Sequence, residues 1–154
     1  MTNIPSVDLA DFLSDDPERK KKFIKEIGSA YEEIGFVALR NHFLSDELVD
    51  NLYKEVEKFF QLPVEVKRGY ERQEIGGQRG YVSFGKEHAK GKKEGDLMEF
   101  WHFGQEVDPD AQLEEDYPEN VKVKELDQFN ETGMEAYRML EKTGIYVLRA
   151  LALH

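Results

Sequence analysis

The chain has no cysteine. That absence removes a disulfide framework, a thiolate zinc site, an iron–sulfur cluster and a thiol nucleophile, and it fits a reducing compartment. Long apolar runs are missing as well. No window approaches the roughly 18 apolar residues of a membrane-spanning helix. Met1-Thr2-Asn3-Ile4-Pro5 lacks the basic segment and apolar run of a signal peptide. The expected compartment is the cytoplasm, with no membrane partner. Basic charge is scarce: 21 Lys and Arg against 32 Asp and Glu leave a net charge of −11. A field of that sign repels a phosphate backbone, so nucleic acid is not an expected partner. The basic cluster Arg19, Lys20, Lys21, Lys22 and Lys25 is flanked by Asp15, Asp16, Glu18 and Glu26, and reads as a solvated helix face.

Histidines are few. None of His42, His88, His102 and His154 is followed two positions on by an acidic residue. That His-x-Asp/Glu pair commonly supplies two ligands of a non-haem iron site, which needs two histidines and a carboxylate on one face of the metal. A zinc site from His88, His102 and Glu99, serving an independent metallohydrolase, is conceivable by ligand type. Ordinary polar histidines of a loop and a strand are the plainer reading. Gly-x-Ser-x-Gly and Gly-x-x-x-x-Gly-Lys-Ser/Thr motifs are absent. The run Gly76-Gly77-Gln78-Arg79-Gly80 lacks a strand before it and a helix after it. No catalytic residue and no metal ligand is assigned on this chain.

What is present is a globular composition, 40% hydrophobic and 34% charged over 154 residues, enough for one domain with a core. Ile4-Pro5-Ser6-Val7-Asp8-Leu9 alternates as an opening strand, with Pro5 placing it near an edge. Asp15 or Asp16 caps a helix that has Pro17 in its first turn, Phe23, Ile27, Ala30, Tyr31 and Ile34 on its inner face, and Gly35 as its stop. Phe36-Val37-Ala38-Leu39 reads as a short buried strand, with Phe36 in the core. Ser45 caps a second helix with an inner stripe of Leu48, Val49, Leu52, Val56, Phe59 and Phe60. Pro63 opens a short helix to about Tyr70. Residues 74–95 carry six glycines and read as a loop with one or two short strands. Residues 97–103 read as a further strand, with Trp101 in the core.

The stretch from Glu106 to Glu119 has seven carboxylates and no base, interrupted by Pro109 and Pro118, and reads as an exposed connector. From about Leu126 to Leu153, Phe129, Gly133, Ala136, Leu140, Gly144, Val147 and Leu151 step by three or four. They form a helical stripe about 40 Å long at 1.5 Å per residue. The chain then ends on apolar Val147-Leu148-Arg149-Ala150-Leu151-Ala152-Leu153-His154. Termini are usually polar and frayed, so the expectation is a chain that has been cut.

Several blocks share an order: Ile4-Pro5-x-Val7-Asp8-Leu9, Ala30-Tyr31-Glu32-Glu33-Ile34-Gly35-Phe36-Val37, Asn41-His42, Phe59-Phe60-Gln61-Leu62-Pro63, Lys67-Arg68-x-Tyr70, Gly80-Tyr81, Gly85-x-Glu87 and Glu99-Phe100-Trp101-His102. In that order and spacing they resemble the N-terminal region of isopenicillin N synthase-like oxygenases, non-haem iron(II) enzymes mostly dependent on 2-oxoglutarate. The resemblance implies a mixed α+β fold whose long backbone helix continues into a double-stranded β-helix (jelly roll) absent here. Residues 1–105 would be the oxygenase N-terminal region, 106–120 an acidic connector and 121–154 the long helix, truncated before the catalytic β-helix.

It further implies that the His-x-Asp…His iron ligands and the arginine that pairs with 2-oxoglutarate lie beyond this chain. Fe(II) and 2-oxoglutarate belong to the intact enzyme, with none expected on this chain alone. Its partners would be the missing C-terminal catalytic domain and a small-molecule substrate. The segment Gln78-Arg79-Gly80-Tyr81 would run along the mouth of the active site. Arg79 would pair with a substrate carboxylate and Tyr81 would pack or hydrogen-bond beside it, with Phe84, Glu87 and His88 as weaker substrate-binding candidates. A surface Arg79 and a core Tyr81 are the competing readings. For the whole chain the competing class is a non-enzymatic α/β interaction module whose apolar C-terminal helix binds a partner chain.

Overall fold

A computed structural model describes residues 3–86, 95–107 and 117–154. The fold is mixed α and β, and the chain divides into two compact units, residues 1–46 with 139–154 and residues 47–138. Most of the expected 106–120 connector lies outside the described residues. Among the described residues no helix is long and apolar enough to cross a membrane.

In the first unit, β1 (Ser6–Asp8) pairs in parallel with β2 (Ala38–Arg40), Val7 opposite Leu39. Parallel pairing needs a crossover, supplied here by α1 (Leu9–Phe12) and α2 (Pro17–Glu33). Asp8 ends the strand and starts the helix. Its carboxylate accepts from the Ala10 amide at 2.9 Å and from Asn41 Nδ2 at 2.7 and 2.9 Å. The Asn41 bond, and next the Ala10 amide, hold the Asp8 carboxyl below its ordinary pKa by favouring the charged form. Asp16 caps α2 by accepting from the Glu18 amide, with Pro17 at the first helical position. Gly35 ends α2 at φ +80°, a left-handed turn that suits glycine.

Val7, Leu9, Phe12, Phe23, Ile27 and Ala150 are the buried centre of this unit, with Val37, Leu39, Phe43 and Tyr146 packed on it. Two expectations for 36–39 are corrected. The strand starts two residues later, and Phe36 is 68% exposed rather than in the core. The cause is the two-residue period of extended chain. Val37 and Leu39 take the inner face opposite Val7, so Phe36 and Ala38 point outward. The four-residue α1 has no counterpart in the sequence reading.

The second unit holds α3 (Asp46–Phe60), α4 (Val64–Arg68), a 3-10 turn (Gln73–Ile75), and the antiparallel pair β3 (Gly80–Val82) and β4 (Phe100–His102). Phe59 is fully buried among aromatic rings. It stacks on Phe129 at 4.9 Å between centroids and meets Trp101 edge-on at 4.7 Å. Tyr70, Tyr81, Val121 and Val123 complete this core. The strand expected over 97–103 is only three residues long, and Leu97, 90% exposed, lies outside it. Helix α5 (Asp127–Leu153) contributes to both units. Of its expected inner stripe, Phe129, Gly133 and Ala136 are buried, with the Phe103 ring lying against Gly133, whereas Leu140 is exposed.

Candidate functional site

The glycine-flanked segment leading into β3 is held by a network the sequence did not reveal. Lys67 on α4 is almost fully buried, its side chain 5% exposed. Its ammonium donates to both carboxylate oxygens of Glu99, at 2.8 and 3.1 Å, and to the Phe60 carbonyl at 3.1 Å. It also lies 5.7 Å and 5.6 Å from the ring centroids of Phe60 and Tyr81. Glu99 accepts a second kind of donor, the Tyr81 hydroxyl, at 2.5 Å. Burial, then the Glu99 hydrogen bond and charge, push the Tyr81 phenol well above its ordinary pKa, so it stays a proton donor. The Tyr81 ring is in the core, opposite Trp101 across the ladder.

Gly80 has to be glycine here. Its φ is +80°, and a Cβ would lie 2.5 Å from the Tyr70 carbonyl oxygen. That carbonyl accepts from the Tyr81 amide at 3.2 Å, so the close approach also sets where β3 begins.

Arg79 lies against Gly104. A Cβ on Gly104 would sit 1.9 Å from the guanidinium carbon, so the group packs on bare backbone. Asn120 fixes that backbone by accepting from the Gly104 amide at 2.8 Å and donating to its carbonyl at 2.7 Å. Arg79 Nη1 donates to the Gln78 carbonyl at 2.8 Å, while Nε is buried without a partner among the described residues. Across the loop, the His102 ring meets the Gly77 carbonyl through Nδ1 at 2.8 Å. A carbonyl only accepts, so Nδ1 carries the hydrogen. His102 also stacks on Phe100, the planes 9° apart.

Two neighbouring concavities share Gly76, Gly77, Val82 and Lys86. One, of about 430 Å³, adds Gln78, Arg79 and His102; the other, of about 310 Å³, adds Glu71, Arg72, Gln73 and Tyr81. Of the residues singled out from sequence, Arg79 and Tyr81 therefore come to adjacent hollows. Phe84, 55% exposed, lines neither, and Glu87 and His88 lie outside the described residues. The sequence reading gives neither Lys67 nor Lys86 a role at the site; Lys67, Glu99 and His102 enter it within the blocks that carry the family resemblance, and Glu99 and His102 also as conceivable zinc ligands. Among the described residues no group of three His, Cys, Asp or Glu side chains could hold a metal ion, and Glu99 is already committed to Lys67 and Tyr81.

Residues 4–125 match the family described as non-haem dioxygenase in morphine synthesis N-terminal. The chain belongs to this family. A 2-oxoglutarate-dependent dioxygenase of Aspergillus flavus, imqE, is 40% identical over 68 residues, 44% of this chain and 19% of that protein. A 1-aminocyclopropane-1-carboxylate oxidase of Dictyostelium mucoroides is 27% identical over 134 residues, 86% of this chain and 36% of that protein. Among solved structures, a 2OG-Fe(II) oxygenase family protein from Caulobacter crescentus superposes with a TM-score of 0.83 at 33% identity. It covers 99% of this chain and 48% of its own. A Neurospora crassa protein solved in complex with alpha-KG superposes at 0.76 with 26% identity, over 97% of this chain and 46% of that one. This member of the non-haem dioxygenase N-terminal family thus spans about half the length of the solved structures it matches, and less of the curated relatives.

Proposed function

We propose that this chain is the scaffold and pocket-rim portion of an iron(II)- and 2-oxoglutarate-dependent oxygenase that oxidises a small organic molecule. One observation carries the reading: 99% of the chain overlays an oxygenase family protein and accounts for 48% of it. The described residues do not fit the metal, since they offer no triad of ligands. In this proposal the iron and 2-oxoglutarate are held by a C-terminal double-stranded β-helix that continues from α5, with 1–105 as N-terminal region and 106–120 as connector. Alone, the 154-residue chain is catalytically silent. This chain's own side chains orient substrate and exclude water at the rim. Arg79 and Tyr81 border the hollows there, and Phe84 and Glu87 follow in the same segment.

The experiment compares this polypeptide with the longer protein in aerobic assays containing iron(II), ascorbate and 2-oxoglutarate, reading succinate. The longer protein forms succinate and this polypeptide does not. Turnover by the polypeptide alone refutes the division of labour.

A second reading draws on the exposed apolar side chains of α5, among them Leu140, Ile145 and Leu148. On that reading the chain is an interaction module, and the helix face takes a separate partner chain. A reading frame that continues past His154 into a His-x-Asp segment and a later histidine favours the oxygenase.

A further inference from the structure

The unit made of residues 1–46 and 139–154 contains a hollow of about 460 Å³ between the turn joining α1 to α2 and the last turns of α5. Its floor is aromatic because rings of the core reach it. Phe12 is buried, and Tyr146 meets it edge-on at 6.4 Å between centroids. Leu13, exposed, carries apolar surface up to the rim. The charged residues lining the space are Asp15, Lys20 and Arg149.

The floor positions both cations. Lys20 Nζ lies 5.0 Å from the Phe12 centroid, and the Arg149 guanidinium carbon lies 5.5 Å from that of Tyr146. A ring face attracts a cation and packs its methylene stem, but it leaves the charge in place. Nearby cations on α2 have carboxylate partners, Arg19 with Asp11 and Lys22 with Glu26. Among the described residues neither Lys20 nor Arg149 has one. The undescribed residues of this unit, Met1 and Thr2, bring no side-chain carboxylate. Two positive charges against the one carboxylate of Asp15 therefore leave the hollow short of a single negative charge. An apolar lining with a few charged groups that fix orientation is the usual make-up of a small-ligand site.

We propose that this hollow binds a small monocarboxylate with an aromatic or similarly apolar body. The body lies on Phe12, Tyr146 and Leu13, and the carboxylate bridges the sides held by Lys20 and Arg149. Asp15 selects against a doubly charged anion such as phosphate. The site stands apart from the glycine-flanked segment before β3 and does not depend on the oxygenase reading.

The test is a calorimetric titration of the full-length protein containing this sequence, at constant ionic strength. The probes are 3-phenylpropionate, its neutral amide, propionate and inorganic phosphate. Saturable binding of 3-phenylpropionate is expected, with a dissociation constant of about 1 mM or tighter. The amide, which lacks the charge, and propionate, which lacks the body, bind at least about fivefold more weakly, as does phosphate. Lys20→Gln and Arg149→Gln, both at exposed positions, each weaken 3-phenylpropionate about two- to fivefold, the worth of one solvent-screened charge. Asp15→Asn strengthens it by a similar factor, an opposite sign that general loss of folding does not produce. Heats that never saturate, an amide that binds as well as the acid, or affinities unmoved by all three substitutions overturn the site. So does displacement by 2-oxoglutarate in a protein whose affinity ignores Lys20 and Arg149, since the acid then occupies the co-substrate's place. Binding with the expected variant pattern in a protein that forms no succinate upholds the site and counts against the oxygenase alone.

Discussion

Lys67, Glu99 and Tyr81 show how a few polar side chains sit inside an aromatic core. A buried ion pair has small net worth, because desolvation offsets attraction, but removing one partner strands the other charge. Among the described residues, Lys67→Met leaves the Glu99 carboxylate with only the Tyr81 hydroxyl, and should cost about 3–5 kcal/mol in urea denaturation at neutral pH. Replacing both, as Lys67→Met with Glu99→Met, should recover most of that loss; a double variant worse than the single one contradicts this account. Tyr81 adds a pH signature. Its folded pKa lies above its ordinary 10.0, so the folded state holds the phenolic proton more tightly than the unfolded chain. The resulting stabilisation is complete below about pH 10 and fades as pH rises toward the folded value. Tyr81→Phe should therefore lose about 1–3 kcal/mol at pH 7 and decline less steeply than the parent above about pH 10. Tyr70, also raised by burial and then by its Glu125 hydrogen bond, keeps part of the slope in both proteins.

At the scale of elements, the signals that proved reliable in the sequence were local ones. Asp16 and Pro17 start α2, Gly35 stops it, and the three-to-four spacing from Phe129 marks the first turns of α5, because capping and helical period act within a turn or two. Three-residue strands carry too little pattern to fix their register, which is why β2 begins two residues late and Phe36 turns outward. The site divides the same way. Arg79 and Tyr81 were named through the family resemblance of their segment, whereas the Lys67–Glu99 pair joins residues 32 apart, a contact no local motif announces. Gly80 is where local and tertiary demands meet. Gly80→Ala faces both a left-handed φ and a Cβ 2.5 Å from the Tyr70 carbonyl oxygen. It should destabilise the protein by about 2–4 kcal/mol, as read by thermal melting. Gly35→Ala, with a similar φ and open space around it, should cost only about 1 kcal/mol. Equal losses at the two glycines would mean that backbone strain alone, not the close approach, dictates Gly80.

For the whole molecule, the informative comparison is between what the chain buries and how much of its relatives it represents. It corresponds to 48% of the Caulobacter oxygenase family protein and leaves Leu140, Ile145 and Leu148 of α5 exposed to water. Single exposed leucines are ordinary, but three large apolar side chains so close along one helix form a face that a following domain is suited to cover. On the proposed reading the continuing β-helix covers it. Leu148→Glu then has opposite consequences in two contexts. In this polypeptide the residue is mostly exposed to solvent, so stability should change by no more than about 0.5 kcal/mol while self-association falls. In the longer protein the same carboxylate is forced under the next domain without a partner, and melting should drop by several degrees. Differential scanning calorimetry of both lengths, with and without the substitution, measures the contrast. If the longer protein tolerates Leu148→Glu as readily as the shorter one, α5 is not the support on which the second half rests. The face would then belong to a separate partner chain.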